Sequence, residues 1–171
     1  FSLMQENLRN IEQSVMRIDR IVLDLMDTVS IEQGRLALSL APSDLGALLH
    51  SVEKDFSSHS SPGNNQLVLM IQPDLPEISA DPERLIQVIT NLISNADRHT
   101  QNGTITISLT GEPGWQTICV SDTGTGMSEE MRKNALKGYV SADKDYWRHG
   151  IGLYVCHQII TAHGGKIWLK S

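Results

Sequence analysis

Residues 83–99 read ERLIQVITNLISNADRH and carry more information than any other part of the chain. Apolar side chains would cover most sides of the helix that this pattern predicts, which is typical of a buried helix. One polar stripe nevertheless runs along it, formed by residues three or four positions apart: Arg84, Gln87, Asn91, Asn95 and Arg98. Because buried amides and guanidinium groups need hydrogen-bond partners, the stripe predicts a ligand site.

The composition permits one domain of ordinary size with an appendage, since the chain has 171 residues of which 40% are hydrophobic. The net charge is −6 and no dense Lys/Arg cluster occurs, so we set nucleic-acid binding aside. Cys119 and Cys156 lie in apolar runs and are expected to be buried, reduced residues. The sequence has no long apolar run, no signal peptide and no initiating Met. We therefore expect a soluble fragment, and a membrane anchor on its parent protein stays open.

The first part of the chain predicts one long helix over residues 2–33. Its apolar residues alternate in steps of four and three, which is the heptad pattern of a coiled coil or a helical bundle: Met4, Leu8, Ile11, Val15, Ile18, Val22, Leu25 and Val29. Gly34 follows as a residue suited to end the helix.

The rest of the chain predicts an α+β domain. Alternating patterns predict strands at 35–40, 67–71, 77–80, 104–110, 115–122 and 166–169. Helices are predicted from Pro42-Ser43-Asp44 to about Phe56, from Asp81-Pro82 through the polar stripe, and from Gly150 to Ala162.

Asp122 ends a predicted strand on the same face as Ile118 and Val120, which we expect to be the core side. Thr-Gly124-Thr-Gly126 follows, where a backbone without side chains can approach a ligand closely. A carboxylate accepts hydrogen bonds without donating, so it suits an exocyclic amine such as that of adenine. An aspartate that only caps the turn is the alternative interpretation.

Two further features suit phosphate and a metal. Gly150-Ile-Gly152-Leu153 opens a helix, and the free N–H groups of such an end attract anions. Asn95 offers a neutral amide oxygen for Mg²⁺, and the guanidinium of Arg98 can meet a phosphate. A pair of asparagines hydrogen-bonded to a neighbouring loop is the alternative interpretation of Asn91 and Asn95.

The segment between the glycine motifs, about 124–149, has no core pattern and is basic. Its cationic residues are Arg132, Lys133, Lys137, Lys144 and Arg148. A long basic segment flanked by glycines predicts a lid over a polyphosphate, although a solvated surface loop would have the same composition.

The order of these parts resembles the Bergerat-type ATPase fold and, within it, the catalytic domain of two-component sensor histidine kinases. Asn91–Thr100 resembles the N box, Asp122–Gly126 the G1 box and Gly150–Leu153 the G2 box of that family, and residues 17–40 resemble the second dimerisation helix and its junction. The resemblance implies a two-layer α/β sandwich, with a mixed sheet and helices on one face, preceded by a long coiled-coil-like helix. The implied domains are a dimerisation helix over 1–33 and an ATP-binding domain over 34–171 whose last strands are incomplete.

By this resemblance the ligand is ATP with Mg²⁺. Asn95 would bind the metal, Asn91 and Arg98 the phosphate region, and Asp122 the adenine amine, with His99 against the nucleotide. The implied ATP site is completed by Gly124, Gly126, Lys137, Lys144, Arg148, Gly150, Gly152 and Leu153.

The chain also departs from the family pattern. Leu136 and Tyr139 stand where the family's lid carries two Phe, and Tyr154 replaces the third glycine of the G2 box. The family's H box is absent, so the phospho-accepting histidine would lie upstream. The resemblance further implies a response regulator as partner, a homodimer formed through the N-terminal helix, and a cytoplasmic domain of a membrane-anchored parent.

Three alternatives remain at this stage. ATP-hydrolysing relatives place a glutamate four residues before the metal asparagine, where this chain has Asn91. An anti-sigma-type serine kinase would not need the long heptad helix. A degenerate, non-catalytic dimerisation module is consistent with the poorly matched lid.

Overall fold

A computed structural model describes residues 22, 26, 27, 29–31, 33, 34, 36–58, 63–136 and 151–171. Within these ranges the strands are β1 (Ala41–Ser43), β2 (Gln66–Ile71), β3 (Ile78–Ala80), β4 (Thr104–Glu112) and β5 (Trp115–Asp122). The helices are α1 (Leu45–Ser58), α2 (Pro82–His99), α3 (Glu129–Asn134) and α4 (Ile151–Ala162). The predicted α+β class is confirmed.

The main sheet is mixed, as predicted, with three strands in the order β2-β4-β5. Leu69 of β2 lies opposite Ile107 in parallel pairing, and Ile107 lies opposite Val120 in the antiparallel β4–β5 hairpin. The hairpin turns at Pro113-Gly114, where Gly114 has a φ of 83° that L side chains rarely adopt. Helix α2 lies in the connection between the parallel strands, because such strands cannot be joined by a tight turn.

Helices α1 and α2 pack on the sheet around one hydrophobic core. Leu49 of α1, Ile89 of α2 and Ile107 of β4 are at most 1% exposed and belong to this cluster. A second cluster joins α2 to α4 through Val88, Val155, Cys156 and Ile159. Cys156 is buried as expected, but the expectation was wrong for Cys119, which is exposed on β5.

The predictions around β1 need correction. Residues 36–40 form no strand, and β1 lies just beyond them as the partner of β3, with Ala41 opposite Ala80. Pro42 is part of this strand and does not open the helix, which is compatible with a two-stranded sheet that has free edges. Asp44 starts α1, since its Oδ1 accepts a hydrogen bond from Ala47 N at 3.0 Å.

The strand predicted at 166–169 is also absent, since residues 165–171 have no strand pairing. This segment still contacts the region of β5, because the Lys166 ammonium lies 5.8 Å from the centre of the Trp115 ring. Its last residue, Ser171, accepts a hydrogen bond from Met127 N at 2.7 Å. Residues 165–171 therefore contact the domain through side chains, and their alternating sequence does not form a strand paired with a described strand.

Of the long helix predicted over 2–33, the structure describes residues 22, 26, 27, 29–31 and 33; residues 22, 26, 27 and 29–31 are helical, and residue 33 lies in a turn. The helical residues are called the N-terminal helical segment below; the rest of that prediction lies outside the described residues. Gly34 ends the segment as predicted, with a φ of 64° and a hydrogen bond from its N to Ile31 O at 2.9 Å. Among the described helices, none is long and apolar enough to cross a membrane.

Candidate functional site

The start of α2 is fixed by Asp81, as its sequence predicts. Asp81 Oδ1 accepts from Arg84 N at 3.1 Å, Oδ2 accepts from Ser39 N at 2.8 Å, and Asp81 N donates to His163 Nε2 at 3.0 Å. Burial acts to raise the pKa of Asp81, but the hydrogen bonds from Ser39 N and Arg84 N outweigh burial and lower that pKa. The carboxylate thus joins the preceding connection to the first turn of α2, and the backbone N–H of Asp81 joins that turn to His163, just after α4.

The polar stripe of α2 divides into two parts. Its C-terminal part is formed by Asn91, Asn95 and Arg98, which are buried, half-buried and exposed, respectively. The Asn91 Nδ2 atom is buried without a hydrogen-bond partner among the described residues. Because a native fold seldom leaves a buried amide donor unpaired, this atom is a candidate contact for a ligand. The N-terminal part, Arg84 and Gln87, bonds to Asp27 instead.

The start of α4 lies beside Asn91. A Cβ atom on Gly152 would be 3.8 Å from both Cγ and Nδ2 of Asn91, so the glycine-rich helix start and the amide stripe are neighbours in space. Leu153, the residue after Gly152, is buried at 6% exposure. The helix therefore presents its first turn to the stripe, with the dipole end that attracts anions.

Asp122 lies at the end of β5 and is exposed, so the expectation of a core-side carboxylate was wrong. Ile118 and Val120 do pack against the core on the predicted face, but β5 runs past the core before Asp122 is reached. Asp122 Oδ1 accepts from Gly124 N at 2.9 Å and from Thr100 Oγ1 at 3.4 Å. The Oδ2 atom has no partner within the described ranges and is available to a donor such as an amine.

Gly124 brings this loop against the C-terminal end of α2. A Cβ atom on Gly124 would collide with the His99 carbonyl oxygen and would lie 2.8 Å from Thr100 Oγ1. Thr125 N donates to the same His99 carbonyl at 3.4 Å. Gly126 has a φ of 70°, which favours glycine. Gly124 is therefore needed for the loop to approach the helix, and Gly126 suits the backbone conformation that follows.

Asn65 holds the same helix end and was not found by sequence reasoning. Its Nδ2 donates to Asp97 Oδ1 at 2.8 Å and to Thr100 O at 2.9 Å, and its Oδ1 accepts from Gly103 N at 2.9 Å. Thr100, which is 1% exposed, was also given no role. Both residues make contacts with distant parts of the chain. Asn65 lies in a polar loop and Thr100 at a helix end, and neither place has a periodic pattern from which such contacts could be predicted.

The predicted lid is described only at its beginning. Ser128 caps α3, whose exposed side chains include the ion pair of Lys133 Nζ with Glu129 Oε1 at 2.7 Å. None of the residues of α3 is buried, in agreement with the absence of a core pattern. The predicted ATP contacts Lys137, Lys144, Arg148 and Gly150 lie outside the described residues.

The chain belongs to the family of histidine kinase-, DNA gyrase B- and HSP90-like ATPases, which matches residues 80–171. Among curated relatives, the adaptive-response sensory kinase SasA of Synechococcus elongatus is 32% identical over 158 residues. That alignment covers 90% of this chain and 41% of SasA, so the chain spans about two fifths of the kinase that it matches.

Solved structures of histidine kinases have the same fold. Full-length ShkA in complex with AMPPNP is 25% identical with a TM-score of 0.75, and the match covers 94% of this chain and 34% of ShkA. Histidine kinase ThkA in complex with response regulator protein TrrA is 22% identical with a TM-score of 0.70, covering 94% of this chain and 45% of ThkA. These matches confirm the predicted family and the predicted two-layer fold.

Proposed function

We propose that this chain is the ATP-binding catalytic part of a two-component sensor histidine kinase, which passes the γ-phosphoryl group of Mg·ATP to a histidine. The observation that carries the proposal is the buried, unpartnered amide of Asn91 beside Gly152. A phosphate held between the first turn of α4 and the stripe of α2 would satisfy that amide donor. The family membership gives the ligand as a nucleoside triphosphate.

Asn95 and Arg98 extend the phosphate region along α2. Neither side chain has a hydrogen-bond partner within the described ranges, so both remain available. The Asn95 amide oxygen fits Mg²⁺, because a neutral ligand suffices when phosphate oxygens bring the negative charge. A bound Mg²⁺ supplies charge neutralisation at the phosphates, and the Arg98 guanidinium adds a positive charge beside them.

Asp122 is proposed to select adenine. Thr100 Oγ1 and Gly124 N occupy its Oδ1 atom and fix the carboxylate, which leaves Oδ2 to accept from an exocyclic amine. The carbonyl oxygen that guanine carries at the same position would be repelled by a carboxylate. His99 would lie against the nucleotide, and its backbone carbonyl already fixes the Gly124 loop.

The chain's contribution to transfer is positioning and charge neutralisation, as in phosphoryl transfer generally. Lys137, Lys144 and Arg148 of the proposed lid would add positive charge over the phosphates, and Gly126 and Gly150 would let the backbone come close. ATP hydrolysis is disfavoured because position 91, where hydrolysing relatives carry a general base, holds an amide.

The wider setting is proposed on the same basis. The phospho-accepting histidine would lie on an upstream helix, and residues 1–33 would pair with it in a homodimeric dimerisation domain. ThkA was solved with a response regulator, and we propose the same class of partner for this chain. The chain would form part of the cytoplasmic portion of a parent anchored through upstream membrane segments.

The nucleotide site is tested by calorimetric titration of the chain with Mg·ATP. Asn95→Ala removes the proposed metal ligand and Asp122→Asn places an N–H group against the adenine amine, so each variant should lose at least about tenfold in affinity. Asp74→Asn is the matched control, because Asp74 is exposed outside the site with a φ of 57° that asparagine tolerates. Unchanged affinity in both site variants would falsify the assignment.

A further inference from the structure

Arg84 and Gln87 lie on the polar stripe of α2 but serve no part of the nucleotide site. Arg84 Nη1 donates to Asp27 Oδ1 at 2.7 Å, and Gln87 Nε2 donates to Asp27 Oδ2 at 2.6 Å. Arg84 Nη1 also donates to Gln87 Oε1 at 2.9 Å. The three side chains form a closed hydrogen-bonded triangle between the N-terminal helical segment and the nucleotide-binding domain.

Asp27 is unusual for an acidic residue on a helix, because it is only 7% exposed. A carboxylate removed from water to that extent must be paired and hydrogen-bonded, and here both of its oxygens are used. The neighbouring apolar residues of the same segment, Val22, Met26 and Val29, are 45–62% exposed. Among the described residues of the segment, the polar contact of Asp27 is therefore the one that joins it to α2.

The triangle lies on the same rigid helix as the proposed nucleotide contacts. Gln87 is one turn before Asn91 on a single line of α2, so the N-terminal half of the helix meets the preceding segment and the C-terminal half faces the nucleotide site. Ser39 N, in the connection that follows the segment, bonds to Asp81 at the start of α2. Two polar contacts thus attach the preceding chain to one end of α2.

We propose that Arg84 and Gln87 form a docking site for the N-terminal helical segment, with Asp27 as the docking residue. This contact fixes the orientation of the nucleotide-binding domain relative to the segment. Its directional hydrogen bonds define one arrangement, which exposed apolar side chains could not do. For the transfer proposed above, that orientation sets how far a bound nucleotide lies from an acceptor on the helical side.

The test measures the distance distribution between two spin labels in the full chain. The labels are placed at Val22→Cys and Glu112→Cys in a Cys119→Ser background, because Cys156 is fully buried and does not need replacement. We expect one narrow distribution. Asp27→Asn leaves Arg84 without its charged partner and should lower the docked-to-undocked ratio by about tenfold or more, which broadens the distribution.

A charge exchange distinguishes docking from a general loss of structure. Asp27→Arg alone should broaden the distribution, and Asp27→Arg combined with Arg84→Asp should make it narrow again. Glu83→Gln, an exposed acidic residue beside Arg84, is the control and should leave the distribution unchanged. A narrow distribution in Asp27→Asn, or a double variant as broad as Asp27→Arg, overturns the proposal.

The result is independent of the proposed function, since the distances are measured without nucleotide. Mg·ATP affinity of Asp27→Asn, measured by calorimetry, should stay within about twofold of the unsubstituted chain, because no docking residue faces the nucleotide site. If Asp27→Asn lost Mg·ATP affinity together with docking, the conclusion that the docking site and the nucleotide site on α2 are independent would be overturned.

Discussion

Gly124 is the residue at which the loop after β5 touches the end of α2. The space beside its Cα is filled by the His99 carbonyl oxygen and by Thr100 Oγ1. Because the first of these neighbours is backbone, it cannot move aside as a flexible side chain would. The position of Asp122, two residues earlier, depends on this close approach through the Gly124 N–H group.

Gly124→Ala should therefore displace the loop and lower the free energy of unfolding by about 1–3 kcal/mol, as overpacking does elsewhere. Mg·ATP affinity should also fall, because Asp122 loses the donor that orients it. Chemical denaturation and calorimetry measure the two effects. Gly46→Ala in α1 is the control, since its Cβ would meet only side-chain atoms, Asp44 Oδ1 at 3.2 Å and Ile71 Cγ2 at 3.6 Å. A Gly124→Ala variant as stable as this control would contradict the steric argument.

The stripe of Asn91, Asn95 and Arg98 could be predicted because it breaks the apolar pattern of a helix at a fixed spacing. The contacts of Asn65 with Asp97 and of Asp27 with Arg84 could not, since they join residues 32 and 57 positions apart. These contacts exist only when the tertiary structure is formed. The local sequence around Asn65 or Asp27 does not distinguish either residue from an ordinary polar surface residue.

At the scale of elements, the start of α2 joins three parts of the chain through Asp81. The pKa of Asp81 is lowered in the fold, so the ionised form is favoured there relative to the unfolded chain. Its stabilising contribution is therefore complete above the unfolded pKa and is lost as the pH falls through the folded pKa.

Asp81→Asn retains a side chain suited to the helix start but removes the charge. We expect a loss of about 1 kcal/mol in the free energy of unfolding near neutral pH, which shrinks as the pH is lowered from about 5 to about 3. Urea unfolding at several pH values measures this difference. Asp44→Asn, the same change at an exposed helix start, serves as the control. A difference for Asp81→Asn that is constant across this pH range would refute the linkage.

The elements that could be predicted are those in which a regular hydrophobic pattern extends over many residues, such as α2 and the β4–β5 hairpin. The strand at 166–169 could not be settled from its alternation, because a strand exists only with a hydrogen-bonded neighbour. Pro42 was assigned to a helix start for a similar reason, since the sequence does not show that Ser43 faces Ile78 across a small sheet.

At the scale of the molecule, residues 34–171 were predicted to form a unit separate from the preceding helix. Among the described residues, both hydrophobic clusters are built from positions beyond 34, which include Leu36, Leu49 and Val155. The contact of Asp27 with α2 is polar and lies outside both clusters.

A chain shortened to residues 34–171 should therefore unfold cooperatively and bind Mg·ATP within about twofold of the full chain. Its stability should fall modestly, because Arg84 and Gln87 lose Asp27. Thermal unfolding with and without Mg·ATP measures both properties, and the Asn95→Ala variant of the shortened chain supplies the control. A shortened chain without a cooperative transition would show that the predicted domain boundary is wrong.

The parallel pairing of β2 with β4 has a consequence for the ERLIQVITNLISNADRH stretch. Gln66 and Thr104 meet across 38 intervening steps of chain, and α2 lies inside that interval. Pairing of residues so far apart in the chain costs loop-closure entropy before its contacts stabilise the fold. In the folded chain Gly152 lies beside Asn91, and Asp122 bonds to Thr100 just after the end of α2. A peptide of these residues alone would carry every amide but lack the glycine-rich segments that approach the helix in the fold, so the motif cannot be transplanted without that topology.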